Sequence, residues 1–349
     1  MVNIGIIGVG VIANSAHIPQ ILKSNGGRLA AICDIDKARL KETGDKYEIP
    51  TEYRFENYMD LIHCDIVDAV EICTPNYLHV KMALDAMHAG KPVNVEKPLS
   101  VNYSEAKKLE EFSAKSGVPN MMCFSYRFMP AVRYAKEIIE KGMLGKIISI
   151  NVEYLKSSAF FKDRRLEWRF IKKYAGTGVL GDLGVHLIDM AQLLVGDLKS
   201  VCSKCGIVVK KRKKLESEEF GNVETDDYCN FLVEFKNGAA GTFSITRCAI
   251  GHNNTIKYQI FGTKGVISFD LNRPEILKVC IGEVDTESYG MHEVQVPKRF
   301  SVTQEQMFID MINGKDCPLL PTIADGLKCQ KILDALLDSS ETGCWIELN

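Results

Sequence analysis

The chain has 349 residues, enough for two domains that each bury a core of their own. A charged fraction of 25% and a hydrophobic fraction of 46% are those of an ordinary globular protein, and a formal net charge of -2 excludes a general pull toward nucleic acid or anionic membrane. The sequence opens without a basic region leading into a long apolar stretch, and no later apolar run could span a bilayer, so the expectation is a cytoplasmic protein with no membrane and no nucleic-acid partner.

The chain begins with Asn3-Ile4-Gly5-Ile6-Ile7-Gly8-Val9-Gly10-Val11-Ile12-Ala13, an apolar run, a glycine turn and the start of a helix. A strand buried on both faces reads as such a run. Gly8 and Gly10 let the chain turn tightly while backbone N–H groups approach a pyrophosphate, and Ala13 lets the following helix pack closely with its N-terminus toward the phosphates. The next apolar run, 29–33, ends in Asp34, where a ribose-binding acid is expected; a carboxylate there repels a 2′-phosphate and favours NAD over NADP.

Through the first third, strands at about 2–8, 28–34, 69–73, 92–95 and 120–124 alternate with helical patterns such as 77–89 and 103–116. Asn102 with Glu105 caps the second of these helices, and Gly90 and Gly117 stop both. Alternation of this kind predicts an α/β fold, a doubly wound parallel Rossmann sheet over 1–124. Two segments lie at carboxyl ends of its strands, where ligands bind in open α/β sheets: Thr74-Pro75-Asn76, with Asn76 a candidate cofactor contact, and Glu96-Lys97-Pro98. An ammonium at Lys97 is placed to hydrogen-bond a substrate hydroxyl and favour its alkoxide.

After 124 the pattern changes. A helix over 130–141 leads to a strand over 147–154, a polar and aromatic loop, and a helix beginning near Leu180. Strand follows strand from 201 to 269, with turns at 236–238 and 262–265, and helices over 302–313 and 322–339 close the chain. This predicts a second α/β domain over 125–349, built on a large, open, mostly antiparallel sheet. Within it, Asp182, His186 and Asp189 are spaced to share one helix face, as a histidine base oriented by a carboxylate requires.

The twelve cysteines are scattered through apolar segments, as small buried thiols are. The only C-x-x-C, Cys202 to Cys205, lies in an expected strand where residues three apart face opposite ways, and no metal is expected. The basic run 210–214 is followed by Glu216, Glu218 and Glu219, as in a solvated loop between strands.

Together, the glycine turn from Gly8 to Ala13, Asp34, Thr74-Pro75-Asn76 with His79, Glu96-Lys97-Pro98, Tyr126-Arg127, Trp168-Arg169 and Asp182-x-x-x-His186 resemble the glucose-fructose oxidoreductase and inositol dehydrogenase family, Gfo/Idh/MocA. The resemblance runs from the first strand to the last helix. It implies reversible oxidation of a sugar or cyclitol hydroxyl with NAD or NADP, of which Asp34 favours NAD, and so a sugar, polyol or glycoside as substrate. It further implies that Lys97 contacts substrate and nicotinamide, that His186 is the acid/base and that Asp182 binds substrate. Gly8, Gly10, Val11, Ile12, Asp34, Thr74, Asn76, His79 and Glu96 fall on its cofactor-binding positions, and Tyr126, Arg127, Trp168 and Arg169 border the nicotinamide and substrate pocket. A homodimer or homotetramer is implied through the open sheet.

Two alternatives stay open: redox-neutral conversion through transient oxidation by tightly held NAD, and a non-catalytic NAD sensor. The segment 175–181 departs from the family's usual consecutive glycines, and the loop 156–169 is where substrate selectivity is expected.

Overall fold

In the computed structural model, which describes residues 1–161, 164–288 and 290–348, the chain divides into two compact units. One comprises Met1–Phe124 with Val302–Lys328, the other Ser125–Ser301 with Cys329–Asn349. Sequence order alone groups 302–328 with the second domain, but its contacts lie in the first. Ile309 packs so tightly on Gly27 that an added Cβ would meet its Cδ1 at 2.3 Å. The Met122 N–H donates to the Pro321 carbonyl at 2.9 Å, and the Ile323 N–H to Asn120 Oδ1 at 2.9 Å.

The first unit is built on six parallel strands: β1 Val2–Ile7, β2 Gly27–Cys33, β3 Arg54–Phe55, β4 Ala69–Ile72, β5 Val93–Val95 and β6 Asn120–Met122. Their order is β3-β2-β1-β4-β5-β6, so the winding reverses between β1 and β4. A crevice opens at the carboxyl ends of the strands at such a switch point. Shorter helical segments form the crossovers from β1 to β2 (Ala13–His17 and Ile18–Lys23) and from β3 to β4 (Tyr58–Ile62), and helices Lys37–Lys46, Asn76–His88 and Tyr103–Ser116 form the other three. Asn102 caps the last of them, accepting the Glu105 N–H at 2.9 Å, and Gly117 ends it with φ of +66°.

The second unit carries a nine-stranded sheet. With β7 Ile147–Leu155, β8 Leu198–Gly206, β11 Tyr228–Phe235, β12 Ala240–Thr246, β13 Thr255–Gly262, β14 Gly265–Asp270, β15 Ile276–Ile281, β16 His292–Gln295 and β17 Ile346–Glu347, its order is β16-β15-β14-β13-β7-β12-β11-β8-β17. A separate two-stranded ribbon pairs β9 Lys211–Lys213 with β10 Phe220–Asn222, so the basic run is a strand rather than a loop. Within the large sheet β7 and β12 run parallel and every other adjacent pair is antiparallel. One face is buried by alternate residues such as Phe231, Val233, Phe243 and Ile245. Leu232, Thr242 and Asn151 line the other face beside Trp345. Cys202 and Cys205 both lie on β8, and the Cys205 sulfur meets Cys229 Sγ on β11 at 2.9 Å. No helix among the described residues is long and apolar enough to cross a membrane.

Beneath the crevice the first unit buries a polar cluster. His17 Nδ1 lies 3.0 Å from Glu71 Oε2 and 2.9 Å from Glu305 Oε1, and its Nε2 lies 3.0 Å from Glu96 Oε1. Burial, with the Glu71 charge beside it, pushes the Glu305 carboxyl up to about 7. Burial also opposes charge on His17, but Cys73, Glu305 and Cys123 outweigh it and hold the imidazole well above its ordinary range. Both folded-state values exceed the unfolded ones, so the folded chain binds these protons more tightly. The Glu305 contribution is therefore present below its unfolded value and lost as pH rises through about 7, and that of His17 is lost at higher pH still. The melting temperature is expected to fall from mildly acidic to alkaline pH, with a shallower fall in Glu305→Gln. An identical slope in the variant would show that Glu305 does not carry the protons.

Candidate active site

In the first unit the site starts at the glycine turn. Gly8 has φ of +89°, and a Cβ there would lie 2.9 Å from the Cys73 carbonyl oxygen, so no other residue fits. A Cβ at Gly10 would meet nothing within 4 Å, which leaves open space at the turn. Asp34 follows directly on β2. Its Oδ2 accepts the Val9 N–H at 3.0 Å, its Oδ1 accepts the Asp36 N–H at 2.9 Å, and Arg39 Nη1 approaches at 3.2 Å. The helix cap here belongs to Asp36, which accepts from the Ala38 and Arg39 N–H groups.

Val11, Ile12 and Ile35 expose apolar side chains beside the turn, Val11 and Ile35 almost wholly. Thr74 Oγ1, at the carboxyl end of β4, is buried with no hydrogen-bond partner. Open space over a glycine turn, an acid at the end of β2 and an orphaned hydroxyl on the rim are what a dinucleotide would fill.

Asn76 begins the helix after β4 and is buried. His79, one turn further, is fully buried with Nδ1 2.8 Å from the Pro98 carbonyl and Nε2 2.9 Å from that of Thr74. It joins the two strand-end segments from below, and burial lowers its pKa below the ordinary value. Glu96 also turns inward: Oε2 accepts the Lys97 N–H at 3.1 Å while Oε1 faces His17. Lys97 is half-buried, and its bond to Pro98 is cis.

In the second unit Asp182 lies in a π-helical turn, Leu180–Gly184, and His186 in the α-helix Val185–Leu194 that continues it. The Val185 N–H reaches back to the Leu180 carbonyl, so Asp182 and His186 do not have the regular α-helical relation expected from their spacing. Asp189 does not serve as a simple third member of a polar stripe either. It is buried and bound by Arg127, with Nε 3.0 and 2.8 Å from its two oxygens and Nη2 2.5 Å from Oδ1.

The ring of Tyr126 packs on His186 at 4.5 Å between centroids, and its hydroxyl meets Tyr154 Oη at 2.8 Å. Tyr154 in turn donates to Asn254 Oδ1 at 2.9 Å. Burial raises the Tyr154 pKa, and the charges of Tyr126 and Asp182 add to it, so the tyrosine stays protonated as a donor. Trp168 and Arg169 form a 3-10 turn in which the guanidinium lies 4.3 Å from the indole centre. Of the expected selectivity loop 156–169, positions 162 and 163 lie outside the described residues.

Sequence reasoning missed the groups that hold this half together. Asp226 accepts the Gly178 N–H at 2.6 Å and the Leu180 N–H at 2.9 Å, fixing the start of the helix that bears Asp182. A Cβ on Gly178 would lie 2.0 Å from the Asp226 carbonyl oxygen, which gives the unusual segment 175–181 its physical reason. Asp227 accepts from Arg247 Nε at 2.7 Å, and Arg164, Arg212 and Arg247 stack their guanidinium groups around the buried ring of Phe170. The signal was present as two adjacent acids just ahead of an alternating strand.

Two family models match: the NAD-binding Rossmann fold of the Gfo/Idh/MocA oxidoreductases over residues 2–124, and their C-terminal alpha/beta domain over 136–348. The levoglucosan dehydrogenase of Pseudarthrobacter phenanthrenivorans is 30% identical over 337 residues, spanning 86% of each chain. The glucose-6-phosphate 3-dehydrogenase of Bacillus subtilis is 27% identical over 350 residues, spanning 97% of this chain and 96% of its own. A structure of levoglucosan dehydrogenase in complex with NADH superimposes with a TM-score of 0.91 at 28% identity, covering 100% of this chain and 99% of that one. With its dinucleotide cradle and its mixed sheet accounted for together, the chain belongs to the Gfo/Idh/MocA family of NAD-binding oxidoreductases.

Proposed function

We propose that the protein oxidises a secondary hydroxyl of a sugar, cyclitol or glycoside, with Lys97, His186 and Asp182 as its working groups. The observation that carries this reading is the coupling of Asp34 to the Val9 N–H at an open glycine turn, with Lys97 just beyond the carboxyl end of β5 of the same sheet. Gly8, Gly10, Val11 and Ile12 receive the pyrophosphate, Asp34 accepts from the adenosine ribose, and Thr74 and Asn76 line the strand ends. NAD, when bound, supplies the acceptor for hydride.

His186 takes the proton as the substrate O–H bond breaks. The ammonium of Lys97 stabilises the oxygen as the carbinol C–H is lost and the C=O bond forms. Asp182 binds a neighbouring substrate hydroxyl, and the Tyr126 ring holds the imidazole plane. Likeness to levoglucosan dehydrogenase supports an anhydrosugar or pyranoside as the first substrate to try.

The test is a screen of sugars, cyclitols and glycosides, levoglucosan among them, with NAD and NADP, following both NADH absorbance and substrate loss. Substrate loss without NADH would replace net oxidation by redox-neutral turnover. NAD binding with no conversion of any substrate would favour the sensor.

Asp34→Ala removes a ribose acceptor and the anchor of the Val9 N–H together. Charge-assisted hydrogen bonds of this kind are worth about 1.5–3 kcal/mol, so NAD affinity measured by calorimetry is expected to fall about 10–100-fold. An unchanged affinity would remove Asp34 from the cradle. The outward sheet face around Leu232 and Trp345 is proposed to pair with a second copy of the chain, and a monomeric mass by light scattering would exclude this.

A further inference from the structure

We propose that His17 and Glu96 form a buried positioning pair for Lys97, an inference that rests on the working role given to Lys97 above. Glu96 curls back over its own backbone. One carboxylate oxygen accepts the Lys97 N–H at 3.1 Å, and the other lies 3.0 Å from His17 Nε2. The peptide that carries Lys97 is therefore tied to a residue on the helical segment that starts at the glycine turn. An ammonium that must meet a developing alkoxide depends on such a tie, because small displacements of a reacting group are costly.

The surroundings of His17 are acidic on every side. Glu71 and Cys73 come from β4 and its end, Glu96 follows β5, Cys123 follows β6, and Glu305 comes from the helix Gln304–Ile312. All of these side chains are buried. Glu71 Oε2 and Glu305 Oε1 crowd Nδ1 side-on, and Nδ1 completes no aligned hydrogen bond to either. Buried charge of this sort contributes little net stability compared with an apolar core, so its use here is to fix geometry. With a carboxylate at 96, the Nε2–H of His17 has an acceptor and so does the Lys97 N–H.

An amide at 96 can satisfy only part of this. In Glu96→Gln the amide oxygen takes the Lys97 N–H, and its NH₂ then faces His17 Nε2. That contact holds only when Nε2 carries a lone pair, which requires a neutral His17 with its single proton on Nδ1. With Nε2 protonated, two donors oppose each other, or the amide flips and releases Lys97. The glutamine variant is thus expected to work at alkaline pH and fail at acidic pH.

The experiment measures kcat and KM across pH for the wild-type enzyme, Glu96→Ala, Glu96→Gln and Lys97→Met, with the His17 imidazole followed by NMR. Glu96→Ala is expected to lose about tenfold or more in kcat with the KM for NAD nearly unchanged. Glu96→Gln is expected to match that loss while His17 is protonated and to recover toward wild type as pH rises through the loss of the His17 proton, read from the imidazole resonances of the same samples. The isosteric glutamine variant carries the test if the alanine variant does not fold.

Glu96→Gln indistinguishable from wild type at every pH, or as impaired as Glu96→Ala at every pH, would overturn the pair. An active Lys97→Met would remove the reading of Lys97 itself, whereas an inactive Lys97→Met beside a pH-indifferent Glu96→Gln would remove only the positioning. One metal ion bound per wild-type chain and absent from His17→Gln would replace the pair by a metal cage.

Discussion

Lys97→Met is expected to lower kcat by about 10²–10⁴-fold while the protein still folds and binds NAD. Methionine keeps the length and apolar stem of lysine but offers neither charge nor donor, so the loss isolates the ammonium. The residue is half-buried, and the Lys97 N–H is already taken by Glu96, so the substitution leaves the backbone anchor in place. The charge matters most when the substrate oxygen becomes an alkoxide, which places the loss in kcat rather than in the KM for NAD. Steady-state kinetics with the substrate found in the screen, together with NAD calorimetry, checks it. Turnover near wild type would take Lys97 out of the mechanism.

The second large effect is at His186. Asparagine retains a polar side chain but accepts no proton in the useful pH range, and His186→Asn is expected to lower kcat for oxidation by about 10²–10⁴-fold. The acid limb that a titrating base imposes on the oxidation rate should disappear with it. The ring of Tyr126 rests on the imidazole at 4.5 Å, so a circular-dichroism melt is needed to separate lost packing from lost chemistry. A variant that kept the acid limb of the pH profile would place the base elsewhere, and Tyr126, bonded to Tyr154 at 2.8 Å, would be the next residue to test.

The parallel sheet was legible because strands buried on both faces are mostly apolar, and Ile4, Ile6 and Ile7 or Ala69, Val70 and Ile72 have no solvent side to mark with polar residues; Glu71, buried against His17, is the exception within its strand. The glycine turn was legible because only glycine tolerates φ of +89° against the Cys73 carbonyl. The spacing of Asp182, His186 and Asp189 misled in part. Periodicity assumes 3.6 residues per turn, and nothing local announced a π turn at Leu180–Gly184 or the claim of Arg127 on Asp189.

Local order along the chain, set by backbone sterics and by alternation of apolar and polar residues, determined the strands, the glycine turn and the acid that closes it. What brings His17, Glu71, Glu96 and Glu305 into one buried cluster is different in kind. These residues are as much as 288 positions apart, and they meet only because parallel strands align their carboxyl ends and Val302–Lys328 packs back onto the first unit. Asp226 reaching back to Gly178 is the same case in the second unit. A lone charged residue in a sequence reads as surface. Only the tertiary structure decides that it is buried, and burial is what forces each such group to find a partner.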